Sequence, residues 1–191
     1  MVRHRGKTGL VITVGGLHGT GKTTYAKALA KAFNLRHVSA GEIFRRMSRE
    51  KRVTLKELMR LAALDSSIDR EIDETTQKEA ENGSVVIDGQ LAAWMARAHA
   101  DIMFYLSAKD EARFKRIAKR DGISFEEARD VTLGREKAEE ERYRRYYNVN
   151  IDDLSIYDVV LNTEALPIQS NVRILTRTVE EYLKSRKQTR R

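Results

Sequence analysis

Residues 10–24 read Leu-Val-Ile-Thr-Val-Gly-Gly-Leu-His-Gly-Thr-Gly-Lys-Thr-Thr. The first five are a continuous apolar-rich run, the pattern of a strand covered on both faces, and Gly15-Gly16 ends it. Gly16 to Thr23 then fits G-x-x-x-x-G-K-[ST], and an Ala-rich helical stretch follows over Lys22–Phe33. Strand, glycine-rich turn and helix in that order make a phosphate cradle. Gly16, Gly19 and Gly21 allow backbone N–H groups to turn inward around a phosphate chain. The helix start adds partial positive charge at the same point. Lys22 brings an ammonium to the β- and γ-phosphates of a bound ATP. The Thr23 hydroxyl can ligate Mg²⁺, and Thr24 adds a second hydroxyl. Leu17 and His18 occupy free positions of the pattern, and His18 is expected to be exposed filler.

Outward from this stretch, apolar segments alternate with helical patterns, which predicts βαβ units. Further strands are expected around 36–39, 84–88, 101–106 and 158–161. Helices are expected over 41–49, 55–63, 67–82, 91–99, 109–120, 124–147 and from 168 to 183. Thr54 with Glu57, and Ser124 with Glu127, have the spacing of helix-capping pairs. The 67–82 segment has few apolar positions (Ile68, Ile72, Ala80) and is placed on the surface. The expected fold class is α/β: a five-stranded parallel sheet with helices on both faces, joined by right-handed crossovers. One domain is expected over 9–191, with basic tails at 1–8 and 184–191. Helical insertions at 41–82 and 121–150 exceed a minimal crossover, and insertions at the carboxyl edge of such a sheet make substrate lids.

Composition narrows the chemistry. The 191 residues contain no cysteine, which excludes disulfides, thiolate zinc sites and cysteine nucleophiles. The four histidines lack metal-ligand spacing. Lys and Arg number 36 against 28 Asp and Glu, a net charge of +8 that favours anionic partners such as phosphates and nucleotides. No apolar run approaches the roughly 20 residues that cross a bilayer. No secretory leader pattern precedes the first strand, so a cytoplasmic location is expected. A switch GTPase would need an N-K-x-D segment, and the nearest string, Asn148 to Asp152, lacks the lysine. A D-x-x-G after the 84–88 strand is also absent, since position 91 is leucine. A small-molecule kinase remains. Asp88 ends its strand beside the phosphate loop, where it can hold Mg²⁺ through water or orient an acceptor phosphate.

Four further strings carry a resemblance. They are Val38-Ser39-Ala40-Gly41-Glu42-Ile43-Phe44-Arg45, Ile87-Asp88-Gly89-Gln90-Leu91-Ala92, Arg135-Glu136-x-x-Glu139-x-x-Arg142 and Asp152-Asp153-Leu154-Ser155-Ile156-Tyr157-Asp158. With the phosphate loop, they make the chain resemble the nucleoside monophosphate kinases, and among them the archaeal-type cytidylate kinases, over roughly 10–165. The resemblance implies that 41–82 binds the acceptor monophosphate and that 121–150 is the lid. It implies that Arg45 grips the acceptor phosphate with Ser39 beside it, a role suited to a planar guanidinium. It also implies that Arg135 and Arg142, on one helix face with Glu139 between them, close over the transferring phosphoryl group while Glu139 holds their geometry. Arg120 is a further candidate phosphate ligand.

Two departures stand out. Gln90 replaces the arginine common directly after Asp-Gly, so an amide without charge faces the acceptor. Leu17 and His18 replace the prolines usual in the loop. Asp69, Asp73, Gln77 and Gln90 are candidates for reading the base.

The expected reaction is ATP + CMP (or dCMP) ⇌ ADP + CDP (or dCDP), with Mg²⁺, in a monomer without membrane or nucleic-acid partners. Two alternatives are another small P-loop kinase, acting on adenylate, shikimate or a sugar, and a nucleic-acid-associated regulatory ATPase. The basic tails motivate the second.

Overall fold

A computed structural model describes residues 9–188. The N-terminal basic segment and the last three residues lie outside that range.

Five strands form one parallel sheet: β1 (Val11–Gly15), β2 (Arg36–Ser39), β3 (Val85–Asp88), β4 (Ile102–Ser107) and β5 (Val159–Asn162). Their order is β2-β3-β1-β4-β5, so β1 is central. Period-two alternation divides its side chains between two cores. Ile12 and Val14, with Val86, Ile102, Phe104 and Leu106, face α1 (Lys22–Phe33) and α8 (Ile168–Gln188), which contribute Leu29, Leu175 and Val179. Val11, Val85, Ile87 and Met103 face the other way. They pack on Ala80 of α4 (Ser67–Asn82) and on Ala92 and Ala93 of α5 (Ala92–Met95). Cover on both faces is why β1 reads as an unbroken apolar run.

Three helices lie between β2 and β3: α2 (Ala40–Glu50), α3 (Leu55–Leu64) and α4. They have a core of their own, built from Ile43, Phe44, Met47, Leu58, Ala62, Ile68 and Ile72. The hairpin of α6 (Asp110–Asp121) and α7 (Phe125–Tyr147) lies between β4 and β5. The expected caps form. Thr54 and Glu57 make a reciprocal capping box, and Ser124 accepts from the Glu127 N–H. Among the described residues no helix is long and apolar enough to cross a membrane.

Three elements differ from expectation. The helix expected over 91–99 is limited to α5. α4 keeps an exposed side, but its packed face buries Asp69, Asp73 and Thr76 along with Ile68, Ile72 and Ala80. Its polar residues face other elements, and counting apolar positions missed that. The closing helix runs on to Gln188. Arg186 ties its last turns back to the sheet through Asp101 (2.9 Å).

Candidate functional site

The glycine-rich turn leads from β1 directly into α1. Gly16 and Gly19 have φ of +133° and +79°, on the side of backbone space that L side chains avoid. A Cβ at Gly19 would lie 2.6 Å from the Arg113 carbonyl oxygen, and one at Gly16 would collide with the Leu106 carbonyl. The loop therefore sits directly on β4 and α6. No side chain caps α1 at Gly21, so its first N–H groups are available to an anion. Lys22 Nζ donates to the Leu17 carbonyl (2.9 Å). Burial lowers its pKa to about 8, against the opposing pull of Asp88 and Glu139. Thr24 is exposed.

Strand register brings the next group together. Val14 of β1 and Ser39 of β2 both lie opposite Asp88 of β3. The Asp88 carboxylate is 2% exposed. Its Oδ2 accepts from Thr23 Oγ1 (2.8 Å) and Ser39 Oγ (3.2 Å), and its Oδ1 lies 2.7 Å from His37 Nε2. Ser39 also accepts from the Glu42 N–H (3.4 Å), which caps α2. One carboxylate thus joins the phosphate loop to the helix that carries Arg45. The Arg45 side chain is exposed and curls back over Gly41 at the start of α2. Its guanidinium makes no hydrogen bond or ion pair among the described residues.

The lid string splits between two partners. Arg135 Nε donates to Glu139 Oε1 (2.7 Å), and its guanidinium lies 5.7 Å from the centroid of the Phe44 ring on α2. Glu139 is 5% exposed. Burial alone would raise its pKa, but His18 and Arg135 outweigh that and hold it far below the usual carboxylate range. Arg142 is buried, and its Nε donates to Asp69 Oδ2 on α4 (2.8 Å). The structure thus brings Glu139 to Arg135 as expected and puts Arg142 on Asp69.

Other side chains were expected elsewhere or not singled out. His18 is not exposed filler: Glu139 Oε2 lies 2.7 Å from its Nε2. Burial lowers its pKa, and Arg135 and Lys22 act in the same direction against Glu139. Arg113 is 1% exposed, donating to the His18 carbonyl (2.8 Å) and to Glu136 and Asp110. A readable signal existed, since Arg113 falls on the buried stripe of α6 with Phe114 and Ile117. No local signal marks His37 as a partner of Asp88. Arg120 makes an exposed two-point pair with the neighbouring Asp121 (2.7 Å).

The base-reading candidates also separate. Asp69 is paired with Arg142, and Gln77 Nε2 rests on the Met95 sulfur (3.7 Å). Asp73 Oδ2 and both amide atoms of Gln90 are buried without a hydrogen-bond partner. Burial pushes Asp73 up to about 7, against the Tyr147 hydroxyl beside it and with Asp69 adding to the rise. An unsatisfied buried polar atom is costly.

The cytidylate kinase-like family model matches residues 11–165. The cytidylate kinase of Staphylothermus marinus is 45% identical, over 92% of this chain and 99% of its own length. That of Pyrococcus horikoshii is 46% identical, over 82% of this chain and 81% of its own. Among solved structures, a shikimate kinase from Bacteroides thetaiotaomicron superposes with a TM-score of 0.60 at 18% identity, over 92% of this chain and 98% of that one; it shares the fold. Phosphate loop, buried strand-end carboxylate and the arginine-bearing α7 all lie within the matched span, and the chain belongs to the cytidylate kinase-like family.

Proposed function

We propose that this protein transfers the γ-phosphoryl group of ATP to CMP or dCMP, giving ADP and CDP or dCDP. The observation that carries the reading is the Thr23–Asp88–Ser39 cluster, which ties the phosphate loop to the acceptor helix α2 through one buried carboxylate.

The acceptor's phosphate is already an anion, so no general base is needed. One of its oxygens attacks the γ-phosphorus in line. The bond to the β-phosphate oxygen breaks, and ADP leaves with the electron pair. Positioning and charge stabilisation supply the catalysis. Gly16, Gly19, Gly21, Lys22, Thr23 and Thr24 hold the donor's phosphates. Arg45, beside Ser39, grips the acceptor's phosphate. Arg135 stabilises charge on the transferring group, while Glu139 orients it.

Thr23 and Asp88 present hard oxygen donors side by side, a set that suits Mg²⁺. Among the described residues no cluster of three or more His, Asp or Glu could hold a metal unaided. That fits an ion completed by water and the nucleotide's own phosphates. When bound, Mg²⁺ would neutralise charge on the phosphate oxygens.

Asp73 and Gln90 are the base-reading pair. Their unsatisfied groups offer both donors and acceptors, as the edge of cytosine requires. A neutral Gln90 in place of an arginine leaves the acceptor's phosphate charge to Arg45.

The test is ADP release with MgATP against CMP, dCMP, UMP, AMP, GMP, shikimate and no acceptor. Turnover concentrated on CMP and dCMP is expected. Preference for another acceptor would move the specificity while keeping the mechanism. ATP hydrolysis indifferent to acceptor would overturn the kinase reading.

A further inference from the structure

His18 stands at a position of the glycine-rich loop where the pattern demands no side chain, yet its N–H, its carbonyl and its ring Nε2 all bind the α6–α7 hairpin. Its N–H donates to Glu136 Oε1 (3.0 Å), and its carbonyl accepts from Arg113 Nη1 (2.8 Å). Its Nε2 lies 2.7 Å from Glu139 Oε2. An ionised carboxylate only accepts, so Nε2 carries the proton. The other Glu139 oxygen accepts from Arg135 (2.7 Å). Arg135 in turn lies against Phe44, the residue before Arg45. The phosphate loop, the lid and the acceptor helix are therefore linked in one line through His18, Glu139, Arg135 and Phe44.

We infer that His18 is a positioning residue for phosphoryl transfer, fixing Glu139 so that this carboxylate keeps Arg135 aimed at the phosphoryl group. The inference rests on the kinase reading above. Arg135 holds Glu139 through Nε, which leaves its Nη groups for a phosphate. Glu139 is 5% exposed, and a buried carboxylate short of partners is expensive. His18 supplies the second partner and sets the carboxylate's orientation. Burial, helped by Arg135 and Lys22, lowers the His18 pKa against the opposing pull of Glu139, so the neutral imidazole donates the hydrogen bond without adding a cation beside Lys22.

The experiment is steady-state kinetics with MgATP and CMP on wild type, His18→Ala, His18→Gln, Glu139→Gln and the His18→Ala/Glu139→Gln double variant. Losing a hydrogen bond to a buried charge should lower the kcat of His18→Ala by about 10- to 100-fold, with both KM values within about threefold of wild type. His18→Gln, whose amide nitrogen reaches the place of Nε2, should recover most of the rate. With Glu139 already neutral, adding His18→Ala should cost less than about threefold more. If His18→Ala does not fold, His18→Asn, whose amide stops short of Glu139, should show the same loss. Wild-type kcat in the variant that removes the contact would overturn the inference. So would a raised KM for ATP at constant kcat, or an undiminished penalty in the Glu139→Gln background. A wild type that fails to turn over CMP would instead overturn the choice of CMP as acceptor.

Discussion

In the phosphate loop, backbone geometry within eight residues sets the polar groups, and the sheet beneath fixes the turn. Between α4 and α7, side chains more than 70 positions apart set them: Asp69 meets Arg142 at 2.8 Å. The loop leaves the first N–H groups of α1 uncapped. The helix contact closes its charge on itself and leaves Asp73 unsatisfied at its edge. The two regions should therefore fail in different ways. Damage to the loop should reach the rate first, and damage to the helix contact should reach the fold first.

Arg142→Ala should give the largest effect. It leaves Asp69 as an unpaired buried charge, a loss of about 3–5 kcal/mol of stability. A chain of this size would then melt about 10 °C lower. A variant that melts like wild type but loses kcat would show that Arg142 acts on the phosphoryl group, which would break the comparison.

Lys22→Ala should leave the fold intact and lower kcat by at least about 100-fold, the scale of losing a charge stabiliser in the transition state. Near-wild-type turnover would remove Lys22 from the phosphate site. The same residue sharpens the comparison through pH. With its pKa lowered to about 8, Lys22 is an ammonium below that value. The kcat/KM for ATP should therefore fall as pH rises through about 8, whereas kcat should hold to higher pH because bound phosphates favour the charged form. A flat kcat/KM from pH 7 to 9 (about one unit either side) would contradict this.

Arg45→Ala should raise the KM for CMP by about tenfold and leave the KM for ATP nearly unchanged. The reverse pattern would place Arg45 on the nucleotide.

The smallest effect is expected from Asp73→Asn, read as thermal stability against pH. The folded pKa of Asp73 is raised to about 7 from an ordinary 3.8. Between those values the folded chain binds the proton and the unfolded chain does not, so stability falls as pH rises through that window and levels above it. Asparagine removes that loss. The variant should gain about 1–2 kcal/mol over wild type at pH 8, within an upper bound of about 4 set by the shift. The gain should vanish toward pH 4. Equal melting temperatures at pH 8 would show that Asp73 is ionised there without cost.

This contrast also explains what the sequence made legible. The strands, the phosphate loop and the Thr54 and Ser124 caps are read from neighbours in the chain, and they form where expected. Asp88 was recognisable because it ends a buried apolar strand. His37 as its partner was not, since only the pairing of β2 with β3 brings them together. α4 looked solvated on all sides because its buried positions include Asp69 and Asp73, whose reason for burial lies in α7. His18 looked free because the loop pattern constrains backbone there and says nothing of α6 and α7.

The central place of β1 has a consequence for how the chain is made. Its neighbours arrive late: β3 begins at Val85 and β4 at Ile102. A ribosome that has released only the first half of the chain has exposed the glycine-rich loop without the Leu106 carbonyl and Arg113 backbone that support Gly16 and Gly19. Contacts this distant in sequence form slowly. The nascent chain therefore carries its nucleotide signature long before it can bind a nucleotide, and ligand captured on completion would pull the last folding step forward by mass action.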